Sequence, residues 1–226
     1  MIARFFKIFL EFVVERCYHV FAYAAQHNHV SLNEIHTKCY EFVDSFSVLV
    51  LLFIKQSGNN GNIDQKFQFL SRILNIVVTT ALRDQEVRHQ EFQPLPYYRI
   101  LITIFVEFFY APYNLGIQEI MYHEGFFEAF KMHIVRSYCN YLRYLSPLKI
   151  PSFSFAWLDF ISHRVFIGKC LDNSTQLNAK TWNHYFILLN DLLTFQKPIL
   201  QNIELSSTSN DLYKVISCFV NRLHYL

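Results

Sequence analysis

The sequence predicts an all-α fold of about eight helices, stacked as antiparallel hairpins in the manner of HEAT and armadillo α-solenoids. Apolar residues recur every three or four positions along nearly the whole chain, which is the period of a helix buried on one side. Only five Gly and six Pro occur in 226 residues, so few turns are available. No window combines strand-like alternation with flanking turn residues. We therefore expect a single helical domain over 1–226.

The first predicted helix, at 2–24, has an apolar side and a charged side. The predicted inner side contains Ile2, Phe5, Phe9, Phe12, Val13, Cys17, Val20, Phe21 and Ala24. The charged side contains Arg4, Lys7, Glu11 and Glu15. This separation predicts one long amphipathic helix whose charged side faces away from the core.

Three more helices are predicted in the first half of the chain. The second covers 31–56 and begins at Ser31, because Ser31 and Glu34 have the spacing of a capping box. The third covers about 63–83. The fourth covers 96–112, with one proline in its first turn, where no N–H is needed, and another at its end.

Four helices are also predicted in the second half. The fifth covers about 117–145, and two prolines separate it from the sixth, the aromatic stretch at 151–167. The seventh covers about 181–196 and ends near Pro198. Polar residues at 206–211 cap the eighth, which reaches the last residue. The helices pair as four hairpins, without a repeated sequence motif.

Composition excludes several classes of protein. The longest strongly apolar runs without charge are ten residues each, at 45–54 and 73–82, and about 20 residues are needed to cross a membrane. Five scattered cysteines without a Cys-x-x-Cys pair do not suggest a disulfide framework. The net charge is +2, and positive and negative residues are mixed along the chain, which does not indicate a nucleic-acid-binding surface. We expect a soluble, intracellular protein without a signal peptide, not associated with a membrane.

The polar cluster within 151–167 is the first candidate for chemistry. Ser162 and His163 are neighbours on a predicted helix, so their side chains point about 100° apart, and the chain has no Gly-x-Ser-x-Gly elbow. Asp159 and His163 are four residues apart and could touch, either as a base with its orienting carboxylate or as a structural pair on a buried helix. We favour the structural interpretation, since no nucleophile accompanies the pair, and we predict no catalytic residue.

Histidines and aromatic residues raise two further possibilities. A zinc site could be built from His19, His27, His29, His36 and Cys39, but their spacing matches no common zinc pattern. His123-Glu124 likewise lacks the second histidine of a zincin helix. We therefore predict no metal or cofactor. An RNA-binding face at 136–149 could be formed by Tyr138, Tyr141, Tyr144, Arg136, Arg143 and Lys149. Direct RNA binding there is the alternative function, because the same residues also suit a half-exposed helix face.

Four segments resemble one known family. The clearest are 36–58, 81–102 and 146–167, and a weaker match follows at 200–224. The most specific runs are FQPLPY at 92–97 and AWLDFISHR at 156–164. These segments resemble, in the family's order, the C-terminal homology domain of the largest scaffold subunit of the CCR-NOT complex, which shortens mRNA poly(A) tails.

The resemblance implies a function as well as a fold. It implies a non-enzymatic, HEAT-like scaffold domain that docks Not-box subunits and mRNA-specific repressors, and so takes part in mRNA decay and translational repression. It also implies a location in the cytoplasm, including P-bodies, and in the nucleus. Within 151–167 it implies a central core helix with Trp157 and Phe160 packed inward and the polar residues joined to a neighbouring helix.

The resemblance covers only the first half of the family domain, so we expect a truncated form. The Gly and Pro that the family places around the tryptophan of the seventh helix are replaced here by KTWNH at 180–184, and Gln201 and Val215 replace a family arginine and glycine. In the eighth helix the apolar residues are Leu212, Val215, Ile216, Phe219, Val220 and Leu223, interrupted by Lys214, Asn221 and Arg222. We expect an exposed apolar face there that drives self-association or partner binding.

Overall fold

A computed structural model describes residues 2–26, 31–57, 63–110, 124–171, 178–201 and 207–223. The described part contains nine α-helices and no strand, which confirms the all-α prediction. The helices are α1 (Ile2–Gln26), α2 (Leu32–Gln56), α3 (Ile63–Arg88), α4 (Leu95–Tyr110), α5 (Glu124–Tyr144), α6 (Ser154–Ile161), α7 (Arg164–Cys170), α8 (Asn178–Gln201) and α9 (Ser207–Leu223). Short 3₁₀ turns at His89–Glu91 and Pro151–Phe153 precede α4 and α6. Among these residues, no helix combines the length and hydrophobicity needed to cross a membrane.

The chain divides into two compact units, Met1–Phe130 and Lys131–Leu226. Each unit has its own buried core of aromatic and aliphatic side chains. The single domain expected over 1–226 stays a prediction.

The first unit is built from two stacked antiparallel hairpins. Ring contacts place Phe6 of α1 against Phe53 of α2, and Phe9 against Phe46, so α1 and α2 are antiparallel. Phe6 also contacts Phe69 of α3, so one ring touches both neighbouring helices. α1 packs on α3 while α2 packs on α4, which is the layering expected of HEAT-like hairpins.

The ends of α2 are fixed as the sequence predicts. Ser31 is the N-cap: its side chain accepts from the Glu34 amide at 3.2 Å, and the Glu34 carboxylate accepts from the Ser31 amide at 3.1 Å. At the other end, the buried Lys66 ammonium donates to the carbonyls of Ile54 and Lys55 at 2.7 and 2.8 Å. The capping box is therefore confirmed, and a side chain from α3 satisfies carbonyl groups that the end of a helix leaves unpaired.

The inner side predicted for α1 is wrong by about one residue in register. The buried residues are Phe6, Leu10, Val13, Val14 and Cys17, while Ile2, Phe5 and Phe12 are exposed. The predicted charged side of α1 also contacts another helix, because Glu11 and Glu15 accept hydrogen bonds from Arg83 and Arg88 of α3. α1 is apolar over most of its circumference, so amphipathicity alone could not choose the side that α3 covers.

Three other boundaries differ from the prediction, and the first is the end of α3, which continues to Arg88 instead of ending at about 83. The stretch 151–167 is not one helix: α6 ends at Ile161, and α7 begins at Arg164. α8 does not end near Pro198 but continues one turn beyond it to Gln201. A proline removes its own N–H from the helical ladder and crowds the carbonyl four residues earlier, but the remaining turn of α8 still forms. The predicted start of the fifth helix at 117 lies outside the described residues.

Candidate docking surfaces

Trp157 is at the centre of the aromatic stretch and is fully buried. Its indole N–H donates to the carbonyl of Leu142 in the last turn of α5 at 2.9 Å. Phe160, on the same helix, stacks on Tyr138 of α5 with ring centroids 5.9 Å apart. The prediction that Trp157 and Phe160 pack inward is therefore confirmed. Both residues join α6 to α5 and are unavailable to a substrate or partner.

The polar residues of the same stretch do not form a catalytic pair. His163 is the N-cap of α7, and its Nδ1 accepts from the Val165 amide at 3.3 Å. Burial, together with the charge of Arg164, lowers the pKa of His163, which favours the neutral ring that this acceptor role requires. Among the described residues no hydrogen bond or ion pair joins His163 to Asp159. The predicted Asp159–His163 pair on one helix is wrong, because the helix ends between them.

The expected link from the polar cluster to a neighbouring helix is wrong: within the described residues, the His163 side chain accepts only from the Val165 amide of α7, the helix that it caps. Asp159 and Arg164 are exposed. The Ser162 hydroxyl donates to the Asp159 carbonyl at 3.4 Å, within its own turn. This stretch therefore has a structural role.

The histidines considered for zinc have separate surroundings. His19 lies 4.0 Å from Glu15, and the His36 ring packs beside Tyr40. The thiol of Cys39 points to the carbonyl of Cys17 at 4.0 Å. The described residues contain no group of three or more potential ligands. His27, His29 and His123 lie outside the described residues.

The face considered for RNA lacks its central stacking residue. Tyr138 is buried against Phe160, which contradicts its proposed role as a base platform. The Tyr144 ring is exposed, but the Lys149 ammonium lies over it at 4.5 Å. Arg143 pairs with Asp191 of α8 at 3.5 Å. A site for single-stranded RNA needs successive exposed aromatic rings beside unpaired cationic side chains. The arrangement at 136–149 does not favour such a site.

A polar cluster in the first unit was not predicted from the sequence. The Asp84 carboxylate accepts hydrogen bonds from the hydroxyls of Tyr18 and Tyr97 at 2.8 and 3.0 Å, and from Arg88 Nε at 2.8 Å. The Tyr18 hydroxyl also accepts from the Gln93 amide at 2.9 Å. Burial raises the pKa of Tyr97 far above its usual value. Tyr97 closes the FQPLPY run, so this part of the resemblance has a structural explanation: it fixes the α3–α4 connection to α1.

A cavity of about 310 Å³ adjoins this cluster between α1 and α3. Its lining residues are Glu11, Val14, Glu15, Thr80, Arg83, Asp84, Val87, Arg88 and Tyr97. The carboxylates that line it already accept hydrogen bonds from arginine or tyrosine side chains. The cavity therefore has no ionic group left over to define a ligand.

The second unit presents an apolar row on α8. Trp182, Phe186 and Leu193 are 42%, 57% and 54% exposed. Their spacing of four and seven residues places them on one side of the helix. We call these three residues the α8 face. The same spacing is visible in the sequence, but no prediction for this row was made from it.

Two hydrogen bonds fix the rotation of α8 and hence the direction of the α8 face. The Tyr185 hydroxyl donates to the carbonyl of Ile161 at 3.0 Å, and the Thr181 hydroxyl donates to that of Cys170 at 3.2 Å. Ile161 and Cys170 are the last residues of α6 and α7, whose final carbonyls lack partners within their own helices. Because Tyr185 and Thr181 are held inward, Trp182 and Phe186 must point outward.

The last helix exposes less apolar surface than predicted. Leu212, Ile216 and Phe219 of α9 are buried, whereas Tyr213 and Val215 are 39% and 44% exposed. The side chains of Val220 and Leu223 lie outside the described residues. Within the described part, the predicted apolar face of α9 is therefore limited to Tyr213 and Val215, and the α8 face contributes the larger side chains.

The fold and these surfaces define a helical hairpin protein that presents apolar faces and no catalytic constellation within the described residues. Residues 118–224 match the family described as "CCR4-Not complex component, Not1". This match confirms the resemblance seen in the sequence.

Curated relatives extend the similarity to nearly the whole chain. The chain is 33% identical over 217 residues to the CCR4-NOT transcription complex subunit let-711 of Caenorhabditis elegans, which covers 94% of this chain. It is 24% identical over 170 residues to general negative regulator of transcription subunit 1 of Saccharomyces cerevisiae, which covers 74% of this chain. The chain spans 8% of the length of each of these two relatives.

Solved structures share the fold. The NOT1 superfamily homology domain of Chaetomium thermophilum has a TM-score of 0.72 and 20% identity, covering 96% of this chain and 38% of that one. A Not1 C-terminal domain in complex with Not4 has a TM-score of 0.64 and 18% identity, covering 98% of this chain and 38% of that one. The predicted class of stacked helical hairpins is thereby confirmed.

Proposed function

We propose that this chain is a non-enzymatic docking module of the CCR4-NOT complex that binds Not-box subunits. The observation that carries the proposal is the α8 face, an exposed apolar row within the residues that match the Not1 family. Exposed aromatic side chains with fixed positions are the usual anchors of protein interfaces. The solved neighbour in complex with Not4 supports other subunits of the complex as partners.

The wider role follows from the same assignment. We propose that the module contributes to mRNA deadenylation, mRNA decay and translational repression, and that mRNA-specific repressors also dock on it. We further propose that it acts in the cytoplasm, including P-bodies, and in the nucleus. Catalysis would then belong to other subunits, which agrees with the structural roles of Asp159, Ser162 and His163.

The test measures binding of purified Not-box subunits to the full chain by titration calorimetry. Replacing Trp182 and Phe186 together by Ala removes the main anchors, and we expect binding to weaken by about tenfold or more. Phe155→Ala is the matched control, because Phe155 is also an exposed aromatic residue, at 41%, on a different helix. Unchanged affinity in the double variant would contradict the assignment of the α8 face.

Salt dependence separates this function from direct RNA binding at 136–149. Affinity for RNA falls steeply with salt because phosphate contacts release counterions, whereas an apolar protein interface changes little. We expect the chain to bind a Not-box subunit at moderate salt and single-stranded RNA weakly or not at all. Strong RNA binding that is lost in an Arg136→Ala variant would favour the RNA function instead.

Self-association through α9 stays a prediction that rests on Tyr213 and Val215. These two side chains expose much less apolar area than the six residues originally assigned to that face. A Val215→Ser variant tests it, since this change removes exposed apolar surface without altering the buried side of the helix. An unchanged oligomeric state in that variant would exclude α9 as the contact.

A further inference from the structure

The first unit carries an exposed apolar surface that packing within the chain does not explain. Its residues are Ile2, Phe5, Ile8 and Phe12 of α1, which are 54%, 50%, 55% and 56% exposed. We call this set the outer face of the α1–α2 hairpin. The opposite side of the hairpin packs on α3 and α4.

The Phe5 ring of the outer face is held by contacts within α1. Phe5 stacks on Phe9 with centroids 6.0 Å apart and meets Phe6 edge-on at 5.3 Å. Phe6 itself is fully buried. Because the Phe5 ring is already ordered, covering it would cost little side-chain entropy, which is a property of good contact surfaces.

Charged residues beside the outer face can pair with the opposite charges of a second copy. Arg4 and Glu15 are eleven residues apart, so they differ by only about 20° around the axis of α1 and lie along the same edge of the face. Both residues are exposed. When a second α1 runs antiparallel with its midpoint near Phe9, Arg4 of each helix meets Glu15 of the other. This reciprocal pairing is what a twofold interface requires.

We propose that a second copy of this chain covers the outer face, through two antiparallel α1 helices related by a twofold axis. Phe5 and Phe12 form the apolar centre, and two Arg4–Glu15 pairs close the edge. Glu15 keeps its bond to Arg88 of its own chain and uses its remaining acceptor capacity for the partner. The proposal does not depend on the docking of Not-box subunits, since it uses another helix in the other unit.

The available area supports a weak, reversible dimer. A fully buried large side chain removes on the order of 150–250 Å² from water, so four half-exposed side chains contribute roughly 400 Å² per copy. A twofold interface doubles this to about 800 Å², which is the size of weak, transient contacts. We therefore expect concentration-dependent dimers in the micromolar range rather than a permanent assembly.

The first experiment is sedimentation velocity on the full chain across the micromolar range. The parent chain should dimerise with rising concentration, and Phe12→Ser should weaken the dimer by about tenfold or more. Phe155→Ser is the matched control, since it removes a similarly exposed phenylalanine from α6. Circular dichroism of each variant establishes that it is folded.

The second experiment exploits the twofold symmetry. Arg4→Glu alone and Glu15→Lys alone each place like charges opposite each other twice, so each variant should be monomeric where the parent is a dimer. Mixing the two variants restores both opposite-charge pairs, and a mixed dimer should form. A structural defect in either variant could not be repaired by mixing, so recovery of the dimer reports the contact itself.

Three outcomes would overturn the proposal. A parent chain that stays monomeric throughout the range has no second copy on this face. A dimer that survives Phe12→Ser but is lost in Val215→Ser uses α9. A monomer whose binding of a Not-box subunit is abolished by Phe12→Ser uses the outer face for that partner. If the α8 variants lose that binding while dimerisation persists, the two proposals are supported independently. If the α8 variants keep that binding while dimerisation persists, only the proposal for the outer face stands.

Discussion

The two units hold their helices together in different ways. In the first unit, long helices are joined mainly by bonds between side chains, such as those from Tyr18, Tyr97 and Arg88 to Asp84, and Lys66 alone adds bonds to the end carbonyls of α2 among the contacts described above. In the second unit, α6 and α7 have only eight and seven residues, and side-chain donors bond to carbonyls near helix ends. A short helix has a larger fraction of unpaired end carbonyls, so helix breaks create the acceptors that the neighbouring side chains use.

This difference also decides what each unit can present to a partner. The donors Thr181 and Tyr185 fix the rotation of α8 from its inner side, which sends Trp182 outward. In the first unit, Arg83 and Arg88 hold the charged row of α1 against α3, which leaves Phe5 and Phe12 exposed on another side. In both units the exposed apolar surface follows from polar contacts elsewhere on the same helix.

The largest expected effect is that of Trp157→Ala in the second unit. The change removes a fully buried ring and its hydrogen bond to Leu142, and we expect a loss of about 3–5 kcal/mol in the free energy of unfolding. Chemical denaturation measures the loss, and hydrogen exchange shows whether α5 and α6 lose protection first. A melting curve that overlays the parent would contradict the burial of Trp157.

Asp84→Ala is the corresponding change in the first unit. It leaves the hydroxyls of Tyr18 and Tyr97 and the Arg88 guanidinium without their shared acceptor, and the Asp84 side chain is only 12% exposed. We expect a loss of about 2–4 kcal/mol, because removing one member of a buried polar network leaves the others unsatisfied.

Asp44→Ala is the matched control for that change. Asp44 also accepts two hydrogen bonds from one arginine, Arg99, at 2.9 and 3.0 Å, but its side chain is 38% exposed. Water can replace those bonds, so we expect a cost of about 0–1 kcal/mol. Equal losses in the two variants would mean that burial is not what makes the Asp84 cluster important.

The sequence predicted local features better than relations between helices. Ser31 and Glu34 specify the capping box within four residues, and it forms as expected. The break at Ser162 and His163 was missed because both flanking segments are apolar with helical spacing, and His163 becomes a cap only once the chain turns. The Asp84 cluster was missed because its members are up to 79 residues apart in the sequence, and only the packing of α1 on α3 brings them together.

The outward position of the α8 face was missed for a related reason. Trp182 and Phe186 have the composition of a core, and apolar spacing does not state which side of a helix is covered. That choice depends on Tyr185 and Thr181, whose hydroxyls find carbonyls at the ends of α6 and α7. The Ile161 carbonyl is available because 151–167 breaks into two helices.

The smallest expected effect concerns pH and the cap of α7. The pKa of His163 is lowered in the folded protein, so its contribution to stability is present above the unfolded pKa of about 6.5 and is lost as the pH falls through the folded value. Protonation removes the Nδ1 acceptor that the Val165 amide uses, and we expect α7 to lose at most about 1 kcal/mol. His163→Asn keeps a good N-cap without the titration, so the difference in stability between pH 7 and pH 5 should become smaller.

His19→Asn is the control, because His19 is exposed in the first unit and caps no helix. Hydrogen exchange of α7 measures the effect locally, and equal pH dependence in the parent and in His163→Asn would contradict it.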